Sequence, residues 1–316
     1  MVNCTTALSM PHTIISKSTD DGALLIPILH RAVGLGYLRR PAEREKVMKI
    51  GCMIWRIGDI LDFNEQIEWV KAHGFEAVEF WTLPGSSGVW QGFDIKNASP
   101  ENIAQLKRIL DGFEEVDIHA GFNEMGLRLG GKEIIRMEPT FELAAEIGAQ
   151  VITVHPEPKT DRTSEAESLE RLNDLAGKYG VCVGLETMGG LATLQNVLLV
   201  KRLALPHVGI TLDVGHLYFE NGAAFENYGT LGNLIDEVSV KIIHVHAHDY
   251  DGRHDHLAIG HGFIDFPDII GALYRAHFLG SICLEINPDR EPPADILKTQ
   301  KQLREIIISV HYCTVK

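Results

Sequence analysis

Eight short runs rich in β-branched residues recur from residue 49 onward, and each is followed by a stretch whose apolar residues fall at helical spacing. The runs are "KIGCMI" (49–54), "AVEFW" (77–81), "VDIH" (116–119), "VITVH" (151–155), "VCVGLE" (181–186), "VGITLD" (208–213), "IIHVH" (242–246) and "ICLEI" (282–286). Between them, "DFNEQIEWVKAHG" carries Ile67 and Val70 ahead of a closing Gly74, and "EPTFELAAEIGA" carries Phe141, Ala144 and Ala145 ahead of Gly148. After the eighth run, "PPADILKTQKQLREIIISV" reads as a last helix opened by prolines. Strand and helix alternating eight times predict an α/β fold, a (β/α)8 TIM barrel forming one domain over residues 48–316. An open doubly wound sheet is the alternative, but it would carry a glycine-rich first turn, which "MIWRIGDILDF" lacks.

Residues 1–47 show no such periodicity. They lack the basic segment and cleavage pattern of a signal peptide, and "STDD" puts acids where a transit peptide avoids them. An irregular N-terminal extension is expected there, with Met48 as the natural start and residues 1–47 not native. No apolar run approaches the roughly 20 residues that span a bilayer. The five cysteines have no C-x-x-C spacing, and Cys52, Cys182 and Cys283 sit inside apolar strand runs. They read as buried thiols of a cytoplasmic protein.

In a barrel of this kind the active site lies at the C-terminal ends of the strands, so the residue that closes each run carries most of the functional information. Six of the eight runs close on, or one residue before their end carry, a residue able to bind metal: His119, His155, Glu186, Asp213, His246 and Glu285. Any one of them has a structural explanation as a rim residue or helix cap. Their convergence points to a metal site.

Strand period supports this reading. Glu186 shares a face with Gly184 and Cys182, and Glu285 with Cys283, while Leu185 and Leu284 point the other way. Asp213 and His216, three apart in "DVGH", reach one centre as the chain leaves its strand. On the seventh run His244, His246 and His248 share one face. His246 is the expected ligand, with His244 one layer deeper and His248 and Asp249 at the start of a pocket-lining loop. His261 is expected at the surface.

In order and placement, "GLETMGG", "LDVGH", "HVHAHD", "HDHLAIGHG" and "CLEIN" resemble the xylose isomerase-like barrel superfamily, over roughly residues 48–310. That superfamily contains sugar and sugar phosphate isomerases and epimerases, and also the endonuclease IV type of abasic-site nuclease. The resemblance to ketose 3-epimerases implies that Glu186, Asp213, His246 and Glu285 bind one divalent metal ion (Mn, Mg, Co or Zn). It also implies that Glu186 and Glu285 act as acid and base on opposite faces of the substrate, and that His216 contacts a substrate oxygen. The nuclease branch would add ligands at His119, His155, His216 and the pair His254 and His256. This sequence departs from it by placing His254 where that branch has aspartate.

The implied chemistry is proton abstraction beside a carbonyl, with a metal-stabilised enediolate and a carboxylate of raised pKa as base. Isomerisation and epimerisation share this step, and a keto-polyol dehydratase would expel a β-hydroxyl after it. A zinc-dependent phosphodiesterase would need basic residues along a nucleic-acid backbone, and a formal charge of −14 with only Arg253 and Lys241 near the loop argues against a nucleic-acid partner. A non-catalytic sugar-binding barrel would be expected to lose one of the paired glutamates, and both are present. The expected partner is a small sugar or polyol, with self-association into a homo-oligomer also compatible with the sequence. Trp55, Trp81, Trp90 and Phe93 follow the first two strands, where they either stack on a sugar or cover the core. Glu79 is a candidate for a substrate hydroxyl or for a buried partner, and Arg56 for an anionic substrate group.

Overall fold

The computed structural model describes residues 47–60, 62–120, 134–156, 162–218, 228–238 and 241–314. The extension expected over residues 1–47 lies, except for Val47, outside them. The eight predicted strands form as β1 (Lys49–Ile54), β2 (Ala77–Trp81), β3 (Glu115–His119), β4 (Val151–Val154), β5 (Cys182–Glu186), β6 (Val208–Asp213), β7 (Ile242–Ala247) and β8 (Ser281–Leu284). All pair in parallel, each with its sequence neighbours, and β8 closes onto β1. Among the described residues the helices are α1 (Phe63–Ala72), α2 (Pro100–Leu110), α3 (Glu138–Ile147), α4 (Arg162–Tyr179), α5 (Gly190–Leu203), α6 (Leu231–Val238), α7 (Phe266–Arg275) and α8 (Pro293–Thr314). The (β/α)8 TIM barrel expected from the sequence is therefore present, within one compact unit over Lys46–Lys316. None of these helices is long and apolar enough to cross a membrane.

Local signals set the element ends. Asp62 caps α1, its side chain accepting from the Asn64 and Glu65 backbone N–H groups, and Ser99 with Asn102 forms a capping box ahead of Pro100 on α2. Gly148 closes α3 in the left-handed region (φ 75°), where a side chain would be strained. Two predicted strands end before their apolar runs do. β4 ends at Val154 and β8 at Leu284, so His155 and Glu285 stand one residue beyond the ladder. Glu285 still donates its N–H to Ala247 O at 3.2 Å, which fixes its backbone before the chain turns away.

One apolar layer lies between strands and helices, built from outward-facing residues such as Val78, Phe80, Ile118, Ile152, Val183, Leu185, Ile210, Leu212, Val245 and Leu284, all buried. The barrel interior is different. TIM-barrel interiors are usually layers of bulky branched side chains, but here a chain of polar contacts runs along the axis. Lys49 Nζ meets Glu115 Oε2 at 2.6 Å, and Glu115 Oε1 accepts from Ser281 N at 3.2 Å. Ser281 Oγ donates to Asp117 Oδ2 and lies 3.2 Å from His244 Nδ1, and His244 Nε2 reaches Glu79 Oε2 at 2.9 Å. Burial pushes the Asp117 carboxyl up to about 7, against the lowering effect of His244. Beside this column the Thr153 and Thr211 hydroxyls bond at 3.0 Å. Gly184 is required for that pair, since a Cβ there would overlap the Thr211 hydroxyl.

Candidate metal centre and substrate pocket

At the C-terminal rim, one potential ligand atom from each of Glu186, Asp213, His246 and Glu285 lies within 4.8 Å of the others. The four are buried, and they arrive from β5, β6, β7 and the residue after β8. Strand register brings them level: Asp213 pairs with His246, and His246 with Cys283, two residues before Glu285 on the same face. His246 Nδ1 faces the carboxylates, at 3.2 Å from Glu186 Oε1, 3.1 Å from Glu285 Oε2 and 3.9 Å from Asp213 Oδ2. Its other nitrogen, Nε2, is 2.9 Å from Glu79 Oε2. An N–H donated to Glu79 leaves the Nδ1 lone pair directed at the cluster, the tautomer that a metal ligand needs.

The donor set fits a divalent cation. Glu285 Oε2 is buried without a well-formed hydrogen bond, and three carboxylates in one buried space repel one another unless a positive charge joins them. Three carboxylates with one imidazole make a hard, mixed oxygen and nitrogen set suited to Mn²⁺, Mg²⁺, Co²⁺ or Zn²⁺. In the metal-free chain the neighbouring imidazoles face these carboxylates. Burial would raise the Glu186 carboxyl, but His155 and His246 outweigh it and hold the group well below its ordinary range. Glu285 is lowered in the same way, mainly by His246 and His256 against burial. His246 is held well above its ordinary value because Glu79, Glu285 and Glu186 outweigh burial. In the metal-free chain both glutamates are thus lowered, the opposite direction to the raised carboxylate expected from the reaction chemistry.

Two further groups border the four. His119 Nε2 lies 3.1 Å and His155 Nε2 2.6 Å from Glu186 Oε2. On the other side His216 Nε2 lies 3.3 Å from His256 Nε2, and His216 N donates to Asp213 Oδ1 at 2.8 Å. His256 adopts φ 52°, an uncommon conformation for a residue with a side chain. It is held there by its N–H on His248 Nδ1 (2.8 Å), by its O accepting from Asn287 N (2.8 Å), and by the contact of its Nδ1 with Glu285 O (3.0 Å). His248 belongs geometrically to the same histidine cluster, but both its nitrogens are occupied. Nδ1 accepts from His256 N, so Nε2 carries the proton and donates it to Asp213, 3.0 Å from Oδ1 and 3.1 Å from Oδ2. It ties a candidate ligand to the β7 loop. Gly215 makes room for it, because a Cβ there would overlap the His248 ring.

A model of the xylose isomerase-like TIM barrel family matches residues 67–306. The chain belongs to that family. Over 266 residues it is 31% identical to an uncharacterised protein of Methanocaldococcus jannaschii, covering 77% of this chain and 84% of that protein. Among solved structures, a D-tagatose 3-epimerase-like protein superposes with TM-score 0.64 at 23% identity, covering 84% of this chain and 100% of that one. The IOLI protein, solved with a zinc atom, superposes with TM-score 0.59 at 19% identity over 83% of this chain and 98% of its own. At these identities both likenesses are of fold.

The remaining predicted residues of this xylose isomerase-like barrel fall in distinct places. His254 stands apart from the cluster, its ring 3.1 Å from Asp251 Oδ2. His261 is exposed and pairs with the buried Glu291 at 2.9 Å. Glu79 is buried beneath the rim, between His244 and His246, and so is the buried partner rather than a group on a pocket wall. Trp55, Arg56, Trp81 and Trp90 line one cavity of about 220 Å³, and Phe93 is buried in the apolar layer. Arg56 is ion-paired with the exposed Asp289 and donates to Val89 O at 3.2 Å, while its buried Nε makes no hydrogen bond among the described residues.

The expectations from sequence alone do not mark Asp117, Glu291 or the supporting role of His248. Period two on β3 would have found Asp117, two residues before His119, whereas nothing local marks Glu291. Glu79→Gln, which keeps an acceptor but removes the charge behind His246, is expected to weaken Mn²⁺ binding by about tenfold or more. Calorimetric titration of the metal-free protein checks this, and unchanged affinity would remove Glu79 from the centre.

Proposed function

We propose that the protein is a divalent-metal-dependent isomerase or epimerase of a sugar or keto-polyol. The observation that carries this reading is the buried convergence of Glu186, Asp213, His246 and Glu285 at the strand ends. The epimerase-like fold neighbour and the neighbour solved with zinc support it. When bound, a divalent cation would polarise the substrate's carbonyl and hydroxyl oxygens.

The two glutamates come from β5 and the end of β8, three strands apart around the closed barrel, so they approach bound substrate from different sides. One carboxylate takes the proton from the carbon beside the carbonyl. Return of a proton by the other to the opposite face gives epimerisation, and return to the neighbouring carbon gives isomerisation. Expulsion of a β-hydroxyl after the first transfer would give dehydration. His216, beside Asp213, is placed to donate to a substrate oxygen. The four described cysteines are free, which suits the cytoplasmic location proposed with this activity.

A second reading, zinc-dependent phosphodiester cleavage, is favoured by one observation. Glu186 is shared with a second ligand set, His119 and His155, and His216 faces His256 directly while its other nitrogen faces Asp213. The displacement of His254 from that group weakens it. Elemental mass spectrometry of the purified protein separates the two readings. About one Mn, Mg or Co per chain, together with solvent deuterium entering ketoses, is expected. Two or three zinc ions per chain with phosphodiester cleavage would replace this proposal by the second.

A further inference from the structure

We propose that Glu79, His244 and Cys283, inside the barrel beneath the rim, form a second metal site that takes up a thiophilic dication, Zn²⁺ or Co²⁺, when one is supplied. The site is independent of the activity proposed for the rim.

One potential ligand atom from each of the three lies within 4.8 Å of the others, and all three residues are buried. They come from β2, β7 and β8. Strand β1 runs between β8 and β2, and the residue it pairs with Cys283 is Gly51, which places no side chain between the thiol and the carboxylate. Around a tetrahedral ion, bonds of about 2.0–2.3 Å to oxygen, nitrogen and sulfur set the ligand atoms roughly 3.5 Å apart, so a small contraction seats the ion.

Two features point to a ligand there. Glu79 offers Oε2 to two imidazoles, His244 Nε2 and His246 Nε2, each at 2.9 Å, while its Oε1 is buried and makes no hydrogen bond among the described residues. His244 is already turned as a ligand. The Ser281 hydroxyl donates to Asp117, so it accepts from His244 Nδ1 at 3.2 Å, and Asp117 Oδ2 stands behind the same nitrogen at 3.5 Å. With a proton on Nδ1, the ring directs Nε2 at an acceptor, and either a second proton or a cation must lie between them.

Cys283 decides which cation. Its thiol is free and packs against Met53 and Trp81. Sulfur selects zinc or cobalt over Mn²⁺ and Mg²⁺, which suit the oxygen and nitrogen donors of the rim. A dication held by one carboxylate, one thiolate and one neutral imidazole carries no net charge, which keeps the cost of burying it low. Burial pushes the thiol of the metal-free chain well above its ordinary pKa. Uptake therefore displaces the thiol proton and the one on His244 Nε2, and both pass to solvent.

The metal-free full chain would be titrated with Co²⁺ in the absence of oxygen and followed by absorption. A thiolate on Co²⁺ gives a near-ultraviolet charge-transfer band that the oxygen and nitrogen donors of the rim cannot give. The band is expected to saturate at about one thiolate-bound ion per chain and to be bleached by Zn²⁺. It should be lost in Cys283→Ser and persist in Cys52→Ser, and also in Glu186→Gln, whose rim set is broken. Glu79→Gln should need about tenfold more Co²⁺. Circular dichroism confirms that the variants fold.

Absence of the band at saturating Co²⁺ in the unmodified chain would overturn the assignment without recourse to any variant. So would a band that survives Cys283→Ser, which would put the ion on another cysteine, or one that disappears in Glu186→Gln, which would make the thiol part of the rim centre. No sugar enters the measurement, so these failures leave the proposed activity untouched, and a failure of deuterium exchange into ketoses leaves the interior site standing.

Discussion

Glu186→Gln is expected to abolish both metal retention and turnover, with activity falling at least about a thousandfold and metal content falling toward zero. Glu186 is the residue common to the two adjoining ligand sets: one oxygen faces His246, and the other faces His119 and His155. The substitution preserves shape and removes one anionic charge. Elemental analysis and deuterium exchange on the same preparation check it. A variant that keeps its metal but loses exchange would make Glu186 a proton-transfer group without a ligand role, and retention of both would dismiss it from the site. The fold itself should survive, because the substitution removes no packing volume and the imidazoles that lose their anionic partner can shed a proton.

Asp249→Ala should show the opposite pattern, a large loss of stability from a residue that touches no candidate ligand side chain. The buried Asp249 carboxylate accepts four backbone N–H groups across the β7 loop. Tyr250 and Ile264 donate to Oδ1 at 2.9 and 3.1 Å, and Gly260 and Gly262 donate to Oδ2 at 2.9 Å each. Alanine leaves these donors without their acceptor, at a cost on the order of 4 kcal/mol, or about 10 °C in Tm. Calorimetry measures it. Because His256 and its unusual backbone are carried by this loop, the surviving folded protein should also respond less to added metal. A Tm within a degree or two of the parent would show that the loop holds itself together without Asp249.

Sequence period located the strands because each one is packed on its outer face by apolar residues, a condition that leaves a local trace. The rim ligands were legible for the same reason: Glu186 and Asp213 close apolar runs, and the side of the sheet they occupy follows from their neighbours. What period could not convey was contact across the barrel. In sequence Glu79 stands between two roles because its partners, His244 and His246, are 165 and 167 positions away. Arg56 looked available for an anionic substrate because Asp289, 233 positions on, gives no sign in sequence that it will fold against it. His248 reads in sequence as part of a pocket wall, since only the fold reveals that its two nitrogens are divided between Asp213 and the His256 backbone. In the metal-free chain the glutamates shift down rather than up, for a related reason. Burial was foreseen, but not the number of imidazoles buried with them.

The polar column inside the barrel bears on any attempt to transplant this centre. Copying the four rim residues onto another eight-stranded barrel would carry over the donor atoms and leave behind what orients them. In a host whose interior is filled with valine and isoleucine, the imidazole corresponding to His246 would lack the carboxylate that selects its tautomer, and both ring nitrogens would compete for the ion. A successful graft would have to include Glu79 and His244, and with them Asp117 and Ser281, which leads almost to the opposite mouth at Lys49 and Glu115. The smallest portable unit is therefore a whole plug of side chains rather than a ring of ligands, and a barrel that inherits its interior can change its loops far more freely than one that inherits its loops can change its interior.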